Sequence, residues 1–423
     1  MRLWRWLVPE SAQVSPGSLR SDMVAGVTVA VVALPLALGF GISSGLGAAA
    51  GMTSAVVAGF VAALCGGSRF QVSGPTGAMT VVLIPIAHRV GVAGVLAVGL
   101  LAGLLMMAAG VLRLGGLVRL LPTSLIEGFT GGIAVVIALQ QVPQALASSG
   151  AGHEKVLPRA LAAINEFVAA PQVGPAVVAM SVLVFLLALT PRFGHWPLSL
   201  VAVVAATACV SAASWDVPLI GDLPATLGRP SVGFLRELSL HELIAPAVSV
   251  ALLAILESLL SATVADRMRG SGPAHRPNRE LVGQGLANLV TPFFGGVPAT
   301  AALARTAVNV RSGAQTRRAA MFHALVLAAV VLAAGSLVAR IPLAALAGVL
   351  VATSAHMIKP REMLRLMRSD WVDAAVLATT FVLTVLVDLI TAVAVGVAIT
   401  VLLVRVRVGR AVPPTDDDET LGD

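Results

Sequence analysis

The feature that most constrains this chain is a recurrence. Stretches of about 18 to 22 residues without a charged side chain follow one another, the length an α-helix needs to cross the hydrocarbon core of a bilayer. Composition agrees, because 57% of the 423 residues are hydrophobic and only 12% are charged. The expected class is an all-α polytopic membrane protein. Met23 to Ile42 follows the basic segment MRLWRWLVPESAQVSPGSLRSD and is long enough to span, so it reads as a first span and not as a cleaved signal. The two cysteines, Cys65 and Cys209, lie inside apolar runs, where nothing suggests a disulfide or a thiolate metal site. No cofactor and no metal are expected.

Apolar runs and breakers divide the chain into fourteen segments, starting near Met23, Gly47, Gly74, Gly91, Thr123, Val173, Trp196, Leu243, Glu280, Thr300, Thr316, Pro342, Trp371 and Leu389. The third and tenth look short and broken. With the N-terminus in the cytoplasm, the inner loops take 21 of the 28 basic residues and the outer loops six (Arg89, Lys155, Arg159, Arg229, Arg236 and Arg340), while Arg305 alone falls within a span. Both termini are thus expected in the cytoplasm, of a cell inner membrane. The net charge of +7 is a topology signal, and no nucleic-acid partner is expected. Seven segments precede the polar loop SWDVPLIGDLPATLGRPSVGFLREL and seven follow it, and each set has its broken segment third. Since seven is odd, the second set inserts upside down. Inverted repeats with interrupted helices at matching places are a mark of secondary transporters.

The first break reads QVSGPTGAMTVVL and the second GGVPATAALARTAVNV. In the first, Ser73 or Gly74 is expected to cap a helix whose first position is Pro75, after an extended RFQVS. In the second, the helix is expected to start around Ala299 to Ala302, after an extended GGVP. Each new helix start exposes unpaired N–H groups and roughly half a positive charge, so two starts facing each other form an anion site. Thr76, Gly77 and Ala78 on one side and Ala301, Ala302, Leu303 and Ala304 on the other would let a ligand approach the backbone. The alternative is that Gly and Pro only kink two packed helices.

AGVTVAVVALPLALGFG, GGSRFQVSGPTGAM, LIEGFTGGIAVVIAL, LLAILESLLSATVADRM, the block from Arg279 to Thr316 and PLAALAGVLVATSAHMI resemble, in order, the sulfate permease (SulP) anion transporters. The resemblance implies a core domain of spans 1–4 (residues 23–122) and 8–11 (243–340) that moves against a gate domain of spans 5–7 (123–214) and 12–14 (341–408). The extracytoplasmic loop 215–242 joins the two repeats, and residues 1–22 and 409–423 are cytoplasmic. It also implies an anion held between spans 3 and 10 with help from spans 1 and 8, and makes a homodimer possible. Family members move sulfate, bicarbonate, chloride, oxalate or dicarboxylates, by proton or sodium symport or by exchange. Relatives usually carry a STAS domain after the last span, whereas this sequence ends VGRAVPPTDDDETLGD, so no STAS domain is expected in 409–423.

Single residues refine this. Glu257 is the one acid in the middle of an apolar core-domain span, and an ionisable group at that depth is a functional candidate. The resemblance points it at the site. A carboxylate there repels an anion unless protonated, which makes Glu257 the candidate for proton coupling; a structural carboxylate is the alternative. Arg305, one turn into the second half-helix, either holds the anion bidentately, or points to the cytoplasmic vestibule or pairs with Glu257. Phe40 matches the family's aromatic beside the site, whereas Leu36 stands where a glutamine is common nearby. Gln140, Gln141 and Asn309 are expected to bond between helices, and Asp388 to cap the last span.

Two enzyme-like strings, GISSG from Gly41 and GLGAAAG from Gly45, sit at span ends without the strand–turn–helix setting of a hydrolase or a dinucleotide site, and small residues at that spacing pack membrane helices. Lys155 and Lys359 are the only lysines and no Walker A motif exists, so this chain does not drive transport with ATP. An enzyme is not expected. The expected function is proton-coupled symport of a small anion (dicarboxylate, sulfate or bicarbonate) across the lipid bilayer. Sodium-coupled bicarbonate symport, exchange, a passive anion channel, nucleobase transport on the same architecture and a non-transporting sensor remain open.

Overall fold

The computed structural model describes residues 16–116, 122–148, 155–193, 196–221, 230–235, 240–270 and 273–387, with a few positions up to 399. The helices are α1 (Pro16–Ser43), α2 (Ala48–Cys65), α3 (Gly77–Val111), α4 (Thr123–Ala145), α5 (Val156–Ala169), α6 (Val173–Phe193) and α7 (Leu198–Ala213). They continue with α8 (Leu240–Arg269), α9 (Pro277–Val290), α10 (Leu303–Arg311), α11 (Arg318–Val338), α12 (Leu343–Met357), α13 (Pro360–Ser369) and α14 (Trp371–Leu386). Two strands of two residues, β1 (Ser73–Gly74) and β2 (Thr300–Ala301), and two 3-10 turns (Gly233–Leu235 and Thr291–Phe294) complete the described elements. Among the described residues, eight helical stretches are long and apolar enough to cross a membrane.

Helices begin within four residues of eleven of the expected starts, α1 begins seven residues before Met23, and no separate helix begins at Gly91. The fourteenth, at Leu389, and the cap at Asp388 lie outside the described residues. The third and fourth segments form one helix, α3, bent at Gly91, whose φ of 68° only glycine adopts easily. Two helices were not expected, α5 and α13, which are amphipathic and too short to span. Charges within them hid them from a search for uncharged runs.

Backbone proximity groups the chain into two compact units. The larger holds the described residues of 1–119 and 134–356, the smaller those of 120–133 and 357–423. In the larger unit α1, α2, α3, α8, α9, α10 and α11 pack through alanine and glycine, as in the buried cluster Ala58, Ala62, Ala287 and Ala299. Where α1 crosses α2, a Cβ on Gly51 would lie 2.1 Å from the Ala37 carbonyl oxygen, and one on Gly41 2.7 Å from the Gly51 Cα. The small-residue strings of this region are therefore a close-packing contact between helices. In the smaller unit Lys359 Nζ donates to Glu127 Oε1 at 2.8 Å, Ser124 Oγ donates to Asp373 Oδ1 at 2.8 Å, and Asp370 caps α14 by accepting from the Val372 N–H.

Candidate functional site

The two breaks meet. β1 and β2 pair antiparallel, with Ser73 opposite Ala301 and Gly74 opposite Thr300. A two-residue ladder has little stability of its own, and in a chain that crosses lipid every backbone group left by a broken helix needs a partner. Neighbouring side chains provide them. Ala302 N donates to Val72 O at 2.9 Å, Val72 N to Thr306 Oγ1 at 3.1 Å, and Asn309 Nδ2 to Phe70 O at 2.7 Å, so α10 holds the chain leading into β1. From the other side, Asn288 on α9 accepts from Ala299 N at 2.8 Å and donates to Ala299 O at 2.7 Å, as a paired strand would. Gln284, one turn earlier, donates to Ser73 Oγ at 2.6 Å and to Glu280 Oε1 at 2.9 Å. Glu280 Oε2 accepts from the N–H groups of Gly67 and Ser68 at 2.7 and 2.8 Å. Glu280, Gln284 and Asn288 lie four residues apart and form one buried row along α9 that fixes both breaks.

The helix starts differ from expectation. α3 begins at Gly77, and its cap is Thr76, whose Oγ1 accepts from Met79 N at 3.3 Å; neither Ser73 nor Gly74 caps it, because both are committed to β1. Pro75 therefore precedes the cap and is not the first helical residue. α10 begins at Leu303 behind Ala302, later than the expected Ala299 to Ala302, because Thr300 and Ala301 pair with β1 and Ala302 N is bonded to Val72. The Ala302 cap offers no side-chain hydrogen bond, which leaves that helix end to the backbone alone.

Arg305 joins the two breaks. Only 1% of it is exposed; Nη2 donates to Pro75 O at 2.6 Å, while Nε and Nη1 donate to no protein atom. A Cβ at position 74 would stand 2.7 Å from Nη1, so glycine is required there for the guanidinium to reach the start of the other half-helix. Arg305 is buried and its hydrogen bond goes to Pro75 and not to Glu257, although its charge interacts with the Glu257 carboxylate. Reaching Pro75 puts the guanidinium beside the starts of both half-helices, whose partial charges share its sign, with the Glu257 carboxylate as the counter-charge that interacts with it.

Glu257, on α8, accepts from Thr76 Oγ1 at 2.9 Å. One hydroxyl thus caps α3 and holds the acid. Next to it Ser258 Oγ and Thr300 Oγ1 are 3.0 Å apart, and Ser258 O accepts from Gln71 Nε2 at 2.6 Å. Phe40 is buried, with Cε1 3.1 Å from where a Cβ on Gly77 would lie, so the aromatic of α1 covers the first turn of α3. Ile137 closes on the same glycine. Ala78 and Ala301 are buried, Ala302 is half-buried, and Leu303 and Ala304 are exposed. Gln140 accepts from Thr80 and Gln141 donates to Ser43, both between helices. Sequence reasoning missed Gln284, Asn288, Ser258 and Thr300. The four-residue spacing of Glu280, Gln284 and Asn288 inside a helical segment was the available signal for the α9 row.

Residues 19–380 match the sulfate permease family. The chain belongs to this family. Among sulfate permease relatives, the putative sulfate transporter YvdB of Bacillus subtilis (strain 168) is 36% identical over 389 residues, covering 89% of this chain and 72% of that protein. The bicarbonate transporter BicA of Picosynechococcus is 35% identical over 399 residues, covering 90% and 69%. The solved transmembrane domain of a cyanobacterial bicarbonate transporter BicA superposes with a TM-score of 0.80 at 34% identity, covering 90% of this chain and 98% of that one. The sulfate permease fold is thus shared across the whole region that holds both breaks.

Proposed function

We propose that the protein is a secondary active transporter of a small anion, sulfate, bicarbonate or a dicarboxylate, which binds where the half-helices α3 and α10 begin. One observation carries the reading: Arg305 is buried at the junction of β1 and β2 with two donors that no protein atom accepts. An anion there accepts from Arg305 and from the bare N-terminus of α10, and Thr76, Gly77 and Ala302 let it approach the backbone closely. Phe40 closes the site from α1. The surrounding scaffold comprises fourteen spans in two inverted repeats, in which a core domain of spans 1–4 and 8–11 carries the site past a gate domain of spans 5–7 and 12–14. The protein is placed in the cell inner membrane with both termini inside.

Coupling is assigned to Glu257. Held through Thr76 to the same helix end, an ionised Glu257 repels the incoming anion, and a protonated one does not. Proton and anion therefore enter together. A second reading, sodium-coupled symport, draws support from the oxygens of Thr76, Ser258 and Thr300 near Glu257, since hard cations favour such ligands. Proteoliposome uptake of labelled sulfate, competed by bicarbonate, chloride and dicarboxylates, with either a pH or a sodium gradient, separates the readings. Saturable uptake driven by an inward proton gradient is expected. Uptake that follows only the sodium gradient transfers the coupling role to the cation, and conductance without saturation or coupling removes the transporter reading.

A further inference from the structure

The amphipathic helices α5 and α13 occupy equivalent places, the first between the fifth and sixth segments and the second between the twelfth and thirteenth, so the proposed inversion places them at opposite membrane surfaces. Each exposes an apolar row: Leu161, Ile164 and Val168 on α5, and Leu364 and Met367 on α13, with Trp371 following at the start of α14. Their charges differ. α5 carries one arginine and one glutamate, Arg159 and Glu166. α13 carries Arg361, Arg365 and Arg368 against Glu362 alone. At 100° per residue the three arginines fall within about 60° of one another, on one flank of the exposed apolar row. All three are exposed, and Arg365 alone has an ion pair among the described residues, a loose one of 3.8 Å to Glu362. Met363 on the opposite flank packs against Gly131, which holds the helix in place and turns the basic flank outward.

We infer that α13 is an interfacial helix that binds anionic phospholipid headgroups of the cytoplasmic leaflet through Arg361, Arg365 and Arg368, with Leu364, Met367 and Trp371 seated at the acyl boundary. An apolar row beside a basic flank is the arrangement that lies in a headgroup layer, and each arginine near an anionic surface adds attraction. Tryptophan favours the same depth, where its ring is apolar and its N–H is wet. The near-neutral α5 is the internal contrast: the same amphipathic device without the basic flank. A soluble domain or a second copy on α13 would bury the apolar row instead, and the lipid readout separates these cases.

The test uses the full chain reconstituted in phosphatidylcholine vesicles containing a minor fraction of phosphatidylglycerol. The bromine label is carried on the acyl chains of one lipid or the other at equal mole fraction. The Trp371 component of the fluorescence is taken as the difference between the full chain and Trp371→Phe. Brominated phosphatidylglycerol is expected to quench it about fivefold more efficiently than brominated phosphatidylcholine, the preference that one well-placed arginine supplies. High salt and the combined substitution Arg361→Gln, Arg365→Gln, Arg368→Gln are expected to bring the two lipids to parity while quenching itself persists. Equal quenching by both lipids in the unmodified chain overturns the headgroup selectivity. No quenching by either shows that Trp371 faces protein or water and overturns the interfacial placement. Neither readout depends on which anion is carried.

Discussion

At the scale of single residues, the proposed mechanism divides between two side chains. Arg305 is buried, and its planar fork already spends one arm on Pro75. Arg305→Met is expected to raise the KM for the transported anion about 10- to 100-fold, as loss of a charge-assisted bond does. Arg305→Lys is expected to recover only part of this, because an ammonium on a flexible stem lacks the planar fork that holds Pro75 O and an anion in fixed directions. Initial uptake rates over a range of anion concentration decide both. Glu257→Gln keeps the Thr76 contact and fixes the side chain neutral, so proton-driven accumulation is expected to fail while anion exchange continues and loses its dependence on pH. In the unmodified protein, uptake is expected to rise as the outer pH falls. Accumulation by the Gln variant under a pH gradient would remove the acid from the coupling step. Both residues were visible in the sequence as candidates, since a lone acid and a lone arginine inside apolar segments stand out. That Arg305 reaches across to the other break was not, because its partner, Pro75, is 230 positions away.

At the scale of elements, a membrane helix that stops halfway must hand its backbone groups to other partners, and here α9 and α10 take them. Asn288→Ala leaves Ala299 N and O unpartnered in a buried setting. The expected cost is about 2–5 kcal/mol of stability, seen as a lower unfolding temperature in detergent, together with a loss of anion affinity as β2 loosens. Asn288→Asp retains the acceptor alone and is expected to fall between. Unchanged stability and KM in the Ala variant would show that the ladder with β1 suffices. Both breaks were visible as glycine and proline in apolar runs. The capping residues were not, because local signals at Ser73, Gly74 and Pro75 favoured a cap one turn earlier than Thr76, and strand pairing claimed the first two. The amphipathic helices were equally hidden, since α13 buries no residue and carries four charges.

At the scale of the whole molecule, the inverted arrangement makes a topological prediction. Lys155, at the start of α5, and Arg361, on α13, are expected on opposite sides of the membrane. In a background with the exposed Cys209 replaced by serine, a cysteine at 155 is expected to react with an impermeant maleimide in intact cells, and one at 361 only after permeabilisation. Labelling of both from one side would break the proposed repeat relation. The sequence by itself determined the setting, because the length of uncharged runs, the side preference of arginine and the breaking power of glycine and proline are local properties that lipid reads one segment at a time. It also singled out the residues to watch. Only the tertiary structure decided how the two breaks are joined: β1 against β2, Arg305 on Pro75 and Thr76 on Glu257 are contacts between segments remote in the chain, and Asn288 on Ala299 joins a helix to the strand that follows it. Each satisfies a buried polar group that no neighbour in sequence can reach, and that requirement is met only once the helices have packed.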